Sequence, residues 1–583
     1  MVLFSDCKQM APAADLDGLK PGGLFEDDEP TKTAKKTQNY VVADPLSGWG
    51  HRGVTHYFWD LIRGDSRWKT GFDYSDQLED VLETNHTWQA KVSVACLKIL
   101  WNIYGPFKAI GHFVEDILNL FVSNGGFFST LFRLFIPLLW SKLIILDREH
   151  AEYKSFLALL DPRVHLYTTS PGSSPEKIDT ANAVIFPGTE YGSKFTADVL
   201  VMSAKIAYEN ANYIQRVVGK FWRMNFVGFY DCWNEFQGEM NTQVFIFTDR
   251  PVDARAVVVA WRGTEPFNTL DWSTDFDFSW IEIEGFGKVH VGFLEALGLI
   301  DRKDPNTFLQ LHNRSNSQRS ANQENADHTE SNASGLRKEV RNNKYKKLAY
   351  DHVTTKVKFL MRTNPNAKLF VTGHSLGGAL ANLYTGLLFF LGEDKLTDRL
   401  AAVYTFGQPR VGAEDYSQYL ISKLNERRYW RVVYSNDLVP RIPFDGPIFQ
   451  FKHSGYCFFY DERYTETTLQ DVPNRNYFSL KISVFIEQRV GALYDLILSI
   501  FSGWIYGPDF RENWIALATR STGLIIPGMC GHLLNNYVNA VRLGPTVLES
   551  KLHDHSSFGL FNWFFSFLGA KRQKYATTTV AHN

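Results

Sequence analysis

Cysteine is scarce in this chain: Cys7, Cys96, Cys232, Cys457 and Cys530 are five in 583 residues, odd in number and without paired spacing. That pattern excludes a disulfide framework and a paired-cysteine zinc site, and it fits reduced thiols in a cytosol-facing protein. Excess charge of either sign is also missing. Lys and Arg number 61 against 63 Asp and Glu, a formal net charge of -2, so there is no electrostatic footprint for nucleic acid. The start has no basic segment followed by an apolar one, and Glu26-Asp27-Asp28-Glu29 reads against a transit peptide. Secretion and plastid import are therefore not expected, and Ala581-His582-Asn583 is not a peroxisomal address. A clean apolar run of about 20 residues, the length a membrane-crossing helix needs, is absent from the most apolar region. There Ile117 to Phe132 carries no charge but is broken at Asn124-Gly125-Gly126, and Arg133 and Pro137 interrupt the apolar residues after it.

What is present divides the chain. Residues 1–45 are polar and punctuated by Gly and Pro, and read as a disordered leader. Residues 46–150 contain the apolar region, whose short arms around the Gly-Gly bend suit helices lying in a lipid interface; a buried helical subdomain is the plainer alternative. Residues 151–301 and 346–545 alternate strand and helix patterns, which predicts an α/β fold with a mainly parallel sheet. Strands are expected at Val244–Phe247, Ala256–Trp261, Leu400–Phe406 and Tyr429–Tyr434, with helices over residues 197–207 and 345–363. Residues 302–345 are rich in Asn, Ser, Gln, Arg and Glu and read as a flexible insertion. Residues 471–527 are a second insertion with apolar patches that serve equally as a cap, an interface helix or core. The tail over residues 546–583 is aromatic from Phe558 to Phe567, with Lys571-Arg572 after it, as an interfacial anchor would be.

The chemistry is concentrated at residues 367–383. The apolar run Ala367 to Thr372 enters Gly373-His374-Ser375-Leu376-Gly377, and small residues come next. Strand, tight turn and helix in that order make a nucleophile elbow, in which the glycines relieve clashes around a strained serine. This is the signature of an α/β-hydrolase with Ser375 as nucleophile. A serine hydroxyl needs a histidine to take its proton, and that histidine needs a carboxylate. The order in this fold is Ser, acid, His. Asp437, just past the strand Arg431–Tyr434 and ahead of Pro440, is the chosen acid over Asp445 and Asp461. His532, in Cys530-Gly531-His532-Leu533, and His453 both come after the acid and remain in competition on spacing; His290 and His374 read as structural. The oxyanion is expected to meet the backbone of Leu376 and the segment Trp261-Arg262-Gly263-Thr264, where Thr264 adds a hydroxyl. Residues 265–285 alternate aromatic and acidic side chains beside that segment and read as a lid, with packed core as the alternative. No metal or organic cofactor is expected.

Together these motifs resemble the class 3, fungal-type triacylglycerol lipases, and among them the plant oil-body lipases. The resemblance rests on Thr372 to Ala379, Trp261 to Thr264, Val289 to Phe293, Thr405 to Arg410 and Asn436 to Pro440, and covers roughly residues 195–300 and 345–545. It implies that His532, not His453, is the catalytic histidine, and that a lid comes after the Arg-Gly-Thr segment. It implies hydrolysis of triacylglycerol through an acyl-enzyme, with no cofactor, at a lipid-droplet or membrane surface. The expected setting is the cytosol-facing surface of seed or pollen oil bodies, with the endoplasmic reticulum membrane as the other candidate. A phospholipase or galactolipase A1 and a non-catalytic droplet scaffold are the alternatives. Trp261 stands where the family usually has Phe or Tyr.

Overall fold

The computed structural model describes residues 42–43, 87–136, 142–167, 194–234, 239–268, 271–272, 280–300, 348–424, 428–443, 450–473 and 482–544. The expectations for 302–345, for the C-terminal tail, for Asp445, for residues 269–270 and 273–279 of the expected lid and for nearly all of the leader fall on residues outside these. Eleven strands are present among the described residues: β1 (Val42–Ala43), β2 (Asn225–Asn234), β3 (Glu239–Thr248), β4 (Ala256–Trp261), β5 (Trp280–Ile283), β6 (Gly287–His290), β7 (Lys368–His374), β8 (Leu400–Phe406), β9 (Tyr429–Tyr434), β10 (Cys457–Tyr460) and β11 (Glu466–Leu469). The helices that matter below are α1 (Thr87–Ser123), α2 (Phe127–Phe135), α3 (Lys194–Ile206), α4 (Ala349–Thr363), α5 (Leu376–Phe390), α6 (Glu414–Leu424), α7 (Ile482–Ile505), α8 (Trp514–Ser521) and α9 (Leu534–Leu543).

Eight strands form one sheet in the order β11-β10-β9-β8-β7-β4-β3-β2. The five strands from β10 to β4 run parallel, and antiparallel strands close both edges. The alternation along β4 shows why this run must be a central strand. Val257, Val259 and Trp261 enter one buried core with α4 and α5, whereas Ala256, Val258 and Ala260 enter another with α3 and α9. Parallel register then has a functional result. Trp261 of β4 pairs with Gly373 of β7, Gly373 with Thr405 of β8, and Phe406 with Val432 of β9. The loops that leave these strands emerge together at one edge of the sheet, where ligand sites of open α/β sheets lie.

Two expectations change at the margins. Val42–Ala43, inside the segment read as a disordered leader, pairs antiparallel with Ile281 and Trp280, because the outer edge of β5 offers unpaired backbone groups. Residues 280–285 are not lid: Trp280–Ile283 pairs with Gly287–His290, and Ile281 and Ile283 are buried in the core.

The N-terminal apolar region packs onto this body through polar clamps. Glu115 accepts the Phe156 N–H at 2.9 Å, and Asn119 both accepts the Lys154 N–H and donates to its carbonyl, at 3.0 and 2.8 Å. The bend between α1 and α2 is stitched by Asn124, which donates to Leu120 and Ile144 carbonyls and accepts from Arg133 and the Ile144 N–H. The breaks in the apolar run are thus a built corner. No helix among the described residues is long and apolar enough to cross a membrane. On the outside of this corner Phe128 is 83% exposed, with Phe132 and Phe135 also exposed.

Glu209, just past α3, holds the segment that follows this region. It is buried and accepts both the backbone N–H and the hydroxyl of Ser155, at 2.9 and 2.5 Å. Burial nevertheless dominates and pushes its carboxyl from 4.5 up to about 7. A raised carboxyl binds its proton more tightly folded than unfolded, so stability falls as pH rises from about 4.5 to about 7 and stays lower above. The shift corresponds to about 3 kcal/mol. Melting temperature is therefore expected to drop between pH 5 and pH 8, and Glu209→Gln to flatten that drop; differential scanning calorimetry across the range measures both.

Candidate active site

The serine sits on a backbone that only the surrounding packing can hold. Ser375 has φ 59° and ψ -133°, between the last residue of β7 and the first of α5. Its N–H donates to the Phe406 carbonyl at 2.9 Å, tying the turn to β8. A side chain at Gly373 would stand 2.1 Å from the Gly377 carbonyl oxygen, and one at Gly377 would stand 2.3 Å from that of Trp261. Glycine at both positions is what lets helix, turn and neighbouring strand touch.

The loop after β4 comes against the serine. A Cβ on Gly263 would lie 2.3 Å from the His374 carbonyl and 3.0 Å from the Ser375 Cβ. Thr264 is therefore adjacent to a residue in contact with the nucleophile, and it is buried. Arg262 fixes the loop from behind. Its buried guanidinium donates to Gln243 Oε1 and the Asn241 carbonyl, pairs with Glu265, and pairs with Asp271 at 3.3 Å. Asp271 in turn accepts the Glu265 N–H at 3.1 Å. The first part of the expected lid is thereby anchored, and Phe267 within it packs against Phe107 and Phe156 with ring centroids 5.8 and 5.1 Å away.

The acid and the histidine meet across 95 residues of sequence: His532 Nδ1 lies 2.8 Å from Asp437 Oδ2. Asp437 is fully buried. Its Oδ1 accepts the Val439 N–H at 2.8 Å, and its Oδ2 also accepts the Tyr537 hydroxyl. With a carboxylate on Nδ1, that nitrogen carries the ring proton and Nε2 presents its lone pair. Ser375 Oγ and His532 Nε2 are both buried and without a hydrogen-bond partner among the described residues. Buried polar atoms left so are uncommon away from functional sites. Space for the pair is made by Gly407, at φ 57°, where a Cβ would stand 2.9 Å from both Asp437 Oδ2 and His532 Cε1.

The other candidates are placed elsewhere. His453 Nε2 donates to the Pro440 carbonyl at 2.6 Å, and burial drives its pKa well down. Asp461 accepts the N–H groups of Arg463 and Thr465 in a turn. His290 Nδ1 accepts the Phe293 N–H at the start of the helix Val291–Ala296. His374 has a more specific place. Its Nε2 bonds the His532 carbonyl at 3.1 Å, which can only accept, so its Nδ1 must accept from the Tyr208 hydroxyl at 2.8 Å. Burial, with the nearby His532 second, holds its pKa far below the ordinary value, so it remains neutral. Its ring stacks on that of His532 with centroids 4.4 Å apart.

Several supports are invisible in the motifs. Arg441, fully buried, donates to the Asp437 carbonyl and, at 3.0 Å, to that of Ser435, so it shapes the acid loop. Asn536 donates to the Cys530 and Gly531 carbonyls and accepts from Arg520, which is held by Glu512. Tyr208, Tyr537, Arg441 and Asn536 carry no signal in the sequence motifs; Arg441, Asn536 and Tyr537, a few residues from Asp437 or His532, offer a positional hint, and Tyr208 offers none. Among the described residues no group of three or more His, Cys, Asp or Glu side chains could hold a metal ion.

Known proteins similar to this chain are lipases. The family model of class 3 lipases matches residues 258–446. The chain is 38% identical over 523 residues to triacylglycerol lipase OBL1 of Arabidopsis thaliana, covering 88% of this chain and 96% of that protein. It is 37% identical to triacylglycerol lipase OBL1 of Nicotiana tabacum, covering 83% and 87% respectively. Among solved structures it matches the Rhizomucor miehei lipase propeptide complex at 20% identity and a TM-score of 0.31, over 48% of this chain and 71% of that one.

A hydrogen bond to a charged group contributes about 1.5–3 kcal/mol. Tyr537→Phe is accordingly expected to lower kcat about 10- to 100-fold with KM little changed and the fold retained, read from steady-state kinetics on a soluble ester.

Proposed function

The chain belongs to the class 3 lipases, and on that footing we propose that it hydrolyses triacylglycerols to free fatty acids through an acyl-enzyme on Ser375. The single observation that carries the roles is the 2.8 Å contact of His532 Nδ1 with buried Asp437, which leaves Nε2 as a base on a ring stacked against His374, the residue before Ser375. Nε2 takes the hydroxyl proton as Oγ attacks the ester carbonyl carbon. The oxyanion that forms is met by backbone N–H groups of Leu376 and Thr264 and by the Thr264 hydroxyl. As the intermediate collapses, the proton on Nε2 passes to the departing diacylglycerol oxygen. Water then repeats the sequence on the acyl-enzyme, with His532 again the base, and fatty acid leaves. Asp437 keeps the tautomer and stabilises the imidazolium, beside a His374 that adds no second positive charge.

The lipid surface is supplied by the oil body, in keeping with the oil-body branch that the sequence motifs resemble, and the corner of α1 and α2 is the anchor. Its exposed phenylalanines face away from the clamps that fix it to the hydrolase body. The aromatic segment after Thr264, pinned at Arg262 and Asp271, is the cover of the site.

Fatty-acid release from emulsified long-chain triacylglycerol is expected to fall by at least about 10³-fold in Ser375→Ala and Asp437→Asn, and by about 10²-fold in Thr264→Ala. Near-wild-type turnover by Ser375→Ala would overturn the mechanism, and a preference for phospholipid vesicles would move the substrate to membranes. Phe128→Glu/Phe132→Glu/Phe135→Glu is expected to shift the protein from floated oil bodies to the soluble fraction. Unchanged flotation would refute the anchor.

A further inference from the structure

A second apolar face stands beside the catalytic loops and is separate from the α1–α2 corner. Along α7, Ile486, Val490, Leu493, Ile497, Ile500 and Trp504 are all exposed, at steps of four, three, four, three and four. Those steps keep one side of a helix facing outward over about 27 Å. Trp504, 88% exposed, ends the stripe, and a large indole open to solvent is a costly surface feature without an apolar neighbour. A second exposed apolar turn, Leu524 to Ile526, adjoins it, since Arg489 of α7 donates to the Ile525 carbonyl at 3.3 Å. That turn leads directly into the segment carrying His532.

The opposite side of α7 is firmly attached. Asp495 accepts the Tyr434 hydroxyl at 3.1 Å, Tyr494 accepts from Arg463 at 3.1 Å, and Ser502 donates to the Phe510 carbonyl at 2.8 Å. A Cβ on Gly491 would stand 3.3 Å from the Asn436 side chain, next to the acid itself. The helix is thus a fixed rim of the site.

We propose that this face of α7, with the Leu524–Ile526 turn, is a docking surface for an uncharged acyl-lipid phase, and that it seats the His532 side of the site on triacylglycerol. Charge and position select that occupant. From Val490 to Pro508 the single charged side chain is Asp495, which accepts the Tyr434 hydroxyl, and Arg489, ahead of that stretch, is tied to the Ile525 carbonyl, so the stripe beyond Arg489 offers no cation with which to hold an anionic headgroup. The stripe adjoins the loops of Asp437 and His532, to which a substrate insoluble in water has to be brought. The inference rests on the lipase reading for its ligand.

The test uses the full chain and Val490→Glu/Ile500→Glu, two positions 56% and 55% exposed. Probes are triolein droplets coated with phosphatidylcholine, phosphatidylcholine vesicles without triolein, and a water-soluble short-chain ester. Expected are at least about ten-fold weaker flotation with droplets and a matching loss of triolein hydrolysis, with soluble-ester turnover intact. Val490→Ser/Ile500→Ser gives the same reading in smaller measure if the glutamates impair folding, which soluble-ester turnover reports. Unchanged droplet flotation overturns the proposal, as does wild-type binding to vesicles as tight as to droplets. A wild-type dimer that the substitutions convert to monomer, with droplet binding kept, assigns the face to a second copy and equally overturns it. Failure of wild-type protein to release fatty acid would count against the lipase reading instead, whereas active wild type with a normally bound variant counts against this surface alone.

Discussion

The contact between α5 and the end of β4 is where the site begins. With Gly377 against the Trp261 carbonyl and Gly373 against the backbone of Gly377, the chain between them has no room to relax, and Ser375 is held at positive φ. Such a conformation costs of order 1–3 kcal/mol and persists because the sheet and helix fix both of its ends. The cost is offset by two extensive cores, one on each face of the sheet. Everything else in the site is positioned relative to this turn: the Gly263–Thr264 loop from the neighbouring strand on one side, and the Gly407 and Asp437 loops from strands on the other.

That dependence explains why so much of the site is legible in the chain. Val257, Val259 and Trp261 alternate with Ala256, Val258 and Ala260 in a way that only a strand covered on both faces requires, and Gly373 to Gly377 prescribe their own geometry. Such information is local. The choice between His453 and His532 is not local, because either comes after the acid; resemblance favours His532, and the three-dimensional path brings its ring to Asp437 while His453 is spent on the Pro440 carbonyl. Tyr208 is illegible for the same reason. It acts across 166 residues on His374, a partner that no spacing rule connects to it. The end of the expected lid misleads in a different way, since the alternating Trp280 to Ile283 that suggests an amphipathic cover is equally the pattern of a strand with one face in the core.

Polar groups in the interior carry much of the specificity around the site. Arg262, Arg441 and Arg520 are all buried, and each spends its guanidinium on backbone carbonyls, carboxylates or amide side chains of loops that frame the serine. The planar fork of arginine suits this task, because several fixed donors can order a loop that has no ladder of its own. The apolar faces have the complementary distribution. They lie on α1, α2 and α7, elements outside the central sheet, so that covering them would ask nothing of the core.

The environment of Asp437 has a consequence for working at an oil surface. Its carboxylate is satisfied by the Val439 N–H, the Tyr537 hydroxyl and the His532 ring, with no exposure to solvent. Charges stabilised by bulk water lose that support when the medium around them turns to hydrocarbon. Here the support is covalently part of the fold and travels with it, so the acid meets the same dielectric surroundings whether the mouth of the site opens on water or on fat. The enzyme carries its own solvent into the oil.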